Sequence, residues 1–148
     1  MANFSHNHTF SRPLEAAAAG KDDTQTGAAV DMSGYEGVTF ILAMGAGDEG
    51  SAASLKAQGS HNNSDWVDLD HPAVEISDDD ENGLVILEVY RPLYRYIRPV
   101  VEREDSGTDG FALDGIIAIQ HGARKLPVTQ SEDVVHHVVS ISPAPAAS

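Results

Sequence analysis

Twenty-three carboxylates and seven histidines are the side chains with which this chain would move protons or hold a metal ion. Their spacing gives little support to either chemistry. His6 and His8 form an extended His-x-His, which sets both imidazoles on one face and would hold zinc with a third ligand. No such ligand lies nearby, and His136 with His137 stands near the opposite terminus, so these read as solvated surface histidines and no metal is assigned. The acidic stretches "SDDDENG" (77–83) and "EDSGTDG" (104–110) offer oxygen atoms to a hard cation. They lack the spaced acidic positions and distant bidentate glutamate of a helical calcium loop, so they read as solvated turns. A hydrolase needs a nucleophile, a base and an orienting group that meet in space. No G-x-S-x-G elbow, phosphate-binding glycine loop or dinucleotide fingerprint is present, and "GAGDEG" has no amphipathic helix after it. No catalytic residue and no cofactor is assigned, and the chain is not expected to be an enzyme.

The informative cluster is "LVILEVYRPLYRYIRPVVER", residues 84–103. It gathers Arg91, Arg95, Arg98 and Arg103, four of the nine basic side chains in a chain of formal net charge -14, beside Tyr90, Tyr94 and Tyr96. Arginine and tyrosine are enriched where proteins bind proteins, because they bring large area and directed hydrogen bonds. The stretch reads as a β-hairpin, and proline cannot donate to a ladder, so Pro92 and Pro99 point to an edge, a bend or a bulge. These seven residues are expected to form an interface with another protein that has an acidic rim. The bland alternative is pairing with the chain's own surplus carboxylates, each pair worth little. Trp66 with Tyr94 raises a further option, an aromatic platform for carbohydrate.

The elements that must position this cluster are short strands. At 148 residues the chain is long enough for one domain with a substantial core. "GVTFILAMG" (37–45) and "FALDGIIAIQHG" (111–122) read as buried strands. In "ASLKAQGS" (53–60), Leu55 and Ala57 alternate with Lys56 and Gln58, as in a half-solvated strand. "WVDLD", "AVEIS", "LVILEVYR", "YRYIRPVVER" and "DVVHHVVSIS" (133–142) complete about eight strands, with Asn82-Gly83 as a favoured turn. This spacing predicts an all-β chain, an antiparallel β-sandwich or jelly roll. Residues 1–33 read as an extended N-terminal arm, with a short helix as an option over "LEAAAAG". Residues 34–129 form the sandwich, and 130–148 a last strand and flexible tail. The acidic balance argues against nucleic acid and against anionic membranes. No apolar run reaches the roughly 20 residues that span a bilayer. The N-terminus has no secretory signal pattern, and the absence of cysteine suits a reducing cytosol.

"SGYEGVTFILAMGA", "ASLKAQGSHNNSDWVDLD", "NGLVILEVYRPLYRYIRPVVER" and "LDGIIAIQHGARKLPVT" together resemble a family of small proteins encoded beside the major capsid protein in tailed bacteriophages. The likeness runs from about Asp31 to Thr129. It implies a head cement or decoration protein, made in the host cytoplasm and bound in many copies to the outside of the capsid. The implied partners are the major capsid protein and further copies of the chain, as a trimer before a dimer. Two other roles compete with it: a virion-displayed carbohydrate-binding module, and a low-copy tail or connector component.

Overall fold

Strand formation follows from strict two-residue alternation. In Gly37–Gly47 (β5) the side chains of Val38, Phe40, Leu42 and Met44 are fully buried, and Thr39, Ile41 and Ala43 between them lie on the outer face. The computed structural model describes residues 3–104 and 109–140, and within them the architecture is two packed antiparallel sheets. After a single helical turn, Phe4–Asn7, come four short strands: Thr9–Leu14 (β1), Ala17–Gly20 (β2), Asp23–Thr26 (β3) and Val30–Asp31 (β4). Beyond β5 lie Ala52–Ser60 (β6), Val67–Asp68 (β7), Val74–Ser77 (β8), Leu84–Tyr90 (β9), Tyr96–Arg103 (β10) and Phe111–His121 (β11).

The first sheet runs β1-β11-β5-β9, with β2 also on β11. The second runs β3-β10-β6-β7, with β4 also on β10 and β8 on β6. The core between them is built from Phe40, Leu42, Leu55, Ile97, Val101, Phe111 and their buried neighbours. Each such side chain stabilises by about 1.5–3 kcal/mol, so the core, and not surface ion pairing, holds the sheets together. In β11 the buried positions switch from Phe111 and Leu113 to Ile116 and Ala118. The switch occurs at a bulge where Leu113 pairs with Met44 and Gly115 with Ala43. Gly115 has φ of 111°, and a Cβ there would lie 2.8 Å from the Leu14 carbonyl oxygen, so glycine is required.

The all-β sandwich expected from the sequence is the fold observed. Three local expectations need correction. Residues 84–103 do not form a hairpin: β9 lies in the first sheet and β10 in the second, and 91–95 cross between them. The N-terminal segment is not a separate arm, because β1 and β2 pair with β11 while β3 and β4 pair with β10. "LEAAAAG" is accordingly strand and loop, without helix. Residues 133–140 contain no strand, while 141–148 lie outside the described residues.

Pro99 shows how a proline is accommodated in β10, between neighbours on both sides. Its carbonyl accepts from Gly27 N at 2.8 Å on the side where β3 and β4 interrupt each other. The missing proline N–H therefore faces the gap in the ladder, where no bond is lost.

Candidate interaction surface

The crossover begins where Arg91 takes a positive φ of 51°, turning the chain out of the first sheet. Its amide still donates to Glu36 O at 2.7 Å, so the departure is anchored. Pro92 follows, then Leu93, which is 89% exposed with no apolar cover. Tyr94 folds back onto the core, its ring over Gly59, where an added Cβ would sit 2.5 Å from the ring. Arg95 O accepts from Met32 N at 2.7 Å, and the chain enters β10 in the second sheet. The result is a ridge across one end of the sandwich, fixed by backbone bonds at both feet.

Arg91, Arg95 and Arg124 surround a shallow hollow beneath Leu93, together with Ser33, Tyr35 and Glu36. Arg95 clamps Asp31, Nε donating to Oδ1 at 3.1 Å and Nη2 to Oδ2 at 2.9 Å. That hydrogen bonding holds Asp31 below its ordinary carboxyl value and raises Arg95. Arg91 is looser, 3.9 Å from Glu36 and stacked over Tyr90 at 5.2 Å. Arg95 also lies 5.1 Å from the Tyr96 ring centroid. The chain's opposite end carries Asp48, Glu49, Asp78, Asp79, Asp80, Glu81 and Glu104.

Of the seven residues read from the sequence, the structure brings Tyr90, Arg91, Tyr94 and Arg95 to this ridge, and Tyr96 beside it. Arg98 lies on the outer face of the second sheet, where its guanidinium covers Trp66 at 4.1 Å and Nε donates to Gln58 Oε1 at 2.9 Å. Arg103 is not a surface residue at all. It is 6% exposed at the far end of β10. Its Nε and Nη2 donate to Asp23 at 2.7 and 2.5 Å, and Nη1 donates to the carbonyls of Ala18 and Phe111 at 2.7 and 2.8 Å. Those carbonyls belong to the first sheet and Asp23 to the second, so Arg103 staples the two sheets. Leu93 and Arg124 complete the ridge and were missed; an isolated leucine between prolyl and tyrosyl residues was the available signal for the first.

The other candidates resolve differently. The Arg98 guanidinium covers one face of the half-buried Trp66, and Tyr94 packs on Gly59 with the His61 ring at 4.6 Å. In the acidic turns, Asp78 accepts from Gly50 N at 2.6 Å, Glu81 from Gly47 N at 3.0 Å and Asp48 from Asp109 N at 2.7 Å. Those carboxylates satisfy loop amides. Residues 105–108 of the second acidic turn lie outside the described residues. His6 and His137 come together with ring centroids 5.8 Å apart, yet no group of three potential ligands forms among the described residues.

No protein-family model matches the sequence, and no curated protein does. A solved structure does match in fold. It is XepA, an exported protein of the phage PBSX, with a TM-score of 0.55 over 96% of this chain at 18% sequence identity. This chain spans 46% of XepA, about half its length.

Proposed function

We propose that this chain is a structural component of a phage particle, a cement or decoration protein that docks on the outside of the capsid through the 90–95 ridge. The observation that carries the proposal is the ridge itself: an 89% exposed Leu93 that lines one hollow with Arg91, Arg95 and Arg124 on an anchored crossover. Arginine and tyrosine are the types enriched in protein-binding hot spots, and the exposed leucine adds apolar area for a partner to cover. Its chemistry fits an apolar socket with an acidic rim. The resemblance in sequence to capsid-adjacent phage proteins, and a sandwich shared with a phage exported protein, support the same reading. Expected partners are the major capsid protein and further copies of the chain.

The test is occupancy on purified particles, by quantitative mass spectrometry against the major capsid protein. A copy number that is a simple fraction of the capsid subunits is expected. Leu93→Asp and Arg91→Glu should each lower occupancy at least tenfold with unchanged circular dichroism. A handful of copies per particle would instead make this a tail or connector part, and unchanged occupancy of both variants would remove the ridge from the interface.

A further inference from the structure

The two flanks of the first sheet are treated in opposite ways. On the β1 flank the chain covers its own edge. Phe10 N donates to Gln130 Oε1 at 2.9 Å, Ser131 Oγ donates to Phe10 O at 2.6 Å, and Arg12 N donates to Asp133 Oδ2 at 2.8 Å. Edges left open pair with other strands, and this one is closed by side chains.

On the β9 flank no comparable side-chain bond is made by the described residues. Met44 N donates to Gly83 O at 2.8 Å and Arg91 N to Glu36 O at 2.7 Å, which fixes the phase of the ladder. Odd-numbered residues of β9 therefore bond to β5, and the N–H and C=O groups of Leu84, Ile86, Glu88 and Tyr90 point away from the sheet. Among the described residues none of these groups has a partner. The side chains of the same four residues stand on the outer face, with Leu84 70%, Ile86 62% and Tyr90 57% exposed. The devices that blunt an edge are missing from 84–90: it has no proline and no bulge. Its one charge, Glu88, is drawn back over its own sheet by Thr39 Oγ1 at 2.9 Å and His121 Nε2 at 3.7 Å.

We infer that β9 pairs antiparallel with β9 of a second copy about a two-fold axis, joining two sheets into one. Charge selects a second copy. The acidic turn Asp78–Glu81 precedes β9 and Arg91 follows it, so antiparallel self-pairing lays the acidic turn of each copy beside Arg91 of the other. Parallel pairing would set acid against acid. The register that matches Leu84 with Tyr90 and Ile86 with Glu88 uses every outward group, about eight hydrogen bonds, and keeps the two Glu88 side chains from facing each other. This association is two-fold, in place of the trimer that the sequence resemblance implies; it borders the ridge at Tyr90 and Arg91 and leaves Leu93 and Arg95 outside the pairing.

Light scattering on the full chain across a concentration series tests it. The expected mass is twice the chain mass of 15.7 kDa at high concentration, falling to the monomer on dilution. Ile86→Pro removes an outward N–H that bonds nothing within the described chain, a substitution that edge strands accept, so that variant should be monomeric with unchanged circular dichroism. Hydrogen exchange on the native chain gives a readout that needs no variant. Amides of Leu84, Ile86, Glu88 and Tyr90 should be slow in the dimer and fast after dilution, while those of Val85, Leu87 and Val89 stay slow throughout. A monomer at every concentration, a trimer, or a dimer whose even-numbered β9 amides exchange freely would overturn the pairing. So would protection of those amides only when capsid is added, which would assign the edge to a foreign strand. Since none of these readouts involves Leu93, failure here leaves the ridge reading standing.

Discussion

Arg95 and Arg103 sit at opposite ends of β10, and each grips an aspartate of the N-terminal segment with two hydrogen bonds. Their surroundings differ. The Arg95 side chain is 56% exposed, whereas that of Arg103 is 5% exposed and also holds two carbonyls from the other sheet. An exposed pair of this kind adds little, because water and salt screen it. Its carboxylate can be exchanged for one on a docking partner at small cost. A buried guanidinium has no such freedom, since removing any of its acceptors leaves a desolvated charge. The same pairing is thus an adaptable surface group at one end and a fastener at the other.

Breaking the comparison starts with the fastener. Arg103→Ala is expected to destabilise the fold by about 3 kcal/mol, as a half-removed buried pair does, and to lower the thermal midpoint by on the order of 10 °C. Arg95→Ala should cost far less, because water and salt screen its exposed pair. Thermal unfolding of both variants measures the gap, and equal losses would mean that burial is not what separates them.

Between residues 37 and 121 the sequence showed where the strands are, because two-residue alternation survives in β5, β6 and β11 with Val38, Leu55 and Ile116 on the inner face. It did not show which sheet a strand joins. Tyr90 and Tyr96 look like neighbours across a turn, but alternation carries no information on whether five intervening residues reverse the chain or cross the sandwich. Nor could it show that Arg103 is buried, since Asp23 lies far away in the chain. The N-terminal segment was misread for a related reason. Its small residues fit against bulky groups elsewhere: a Cβ at Gly20 would lie 2.8 Å from Arg103 Nη2, and one at Gly27 would lie 2.7 Å from Pro99 Cγ. A stretch poor in large apolar side chains can still be an ordered edge when its partner supplies the bulk.

A second variant asks whether the exposed end is as rigid as the buried one. Gly59→Ala sets a methyl 2.5 Å from the Tyr94 ring, which is packed on the core just beneath the ridge. Overpacking of this kind costs about 1–3 kcal/mol. If the ridge is a fixed platform, displacing Tyr94 also weakens capsid binding with Arg91, Leu93 and Arg95 all intact. Lost stability with undiminished binding would show that the ridge adapts to its partner and is not held in advance.

The smallest effect separates the two aspartates by acid. Asp23 and Asp31 both lie below the ordinary value of 3.8, each chiefly through the hydrogen bond from its arginine. The folded state of each therefore holds its proton less readily than the unfolded chain. The stabilisation is complete above the ordinary value and is lost as pH falls through the depressed one. Asp23→Asn should flatten the acid arm of the stability curve, and Asp31→Asn should change it less. Salt sharpens the contrast, because roughly 1 M NaCl shortens screening to about 3 Å and reaches an exposed pair far more than a buried one. The side chain of Asp23 is itself 36% exposed, so its contribution is moderated by solvent even though Arg103 is sealed. Unfolding curves between pH 2 and pH 5 in low and high salt therefore read the arginines through their partners. If the Asp23 and Asp31 variants respond alike to both acid and salt, the two clamps share one environment and the division into fastener and docking group fails.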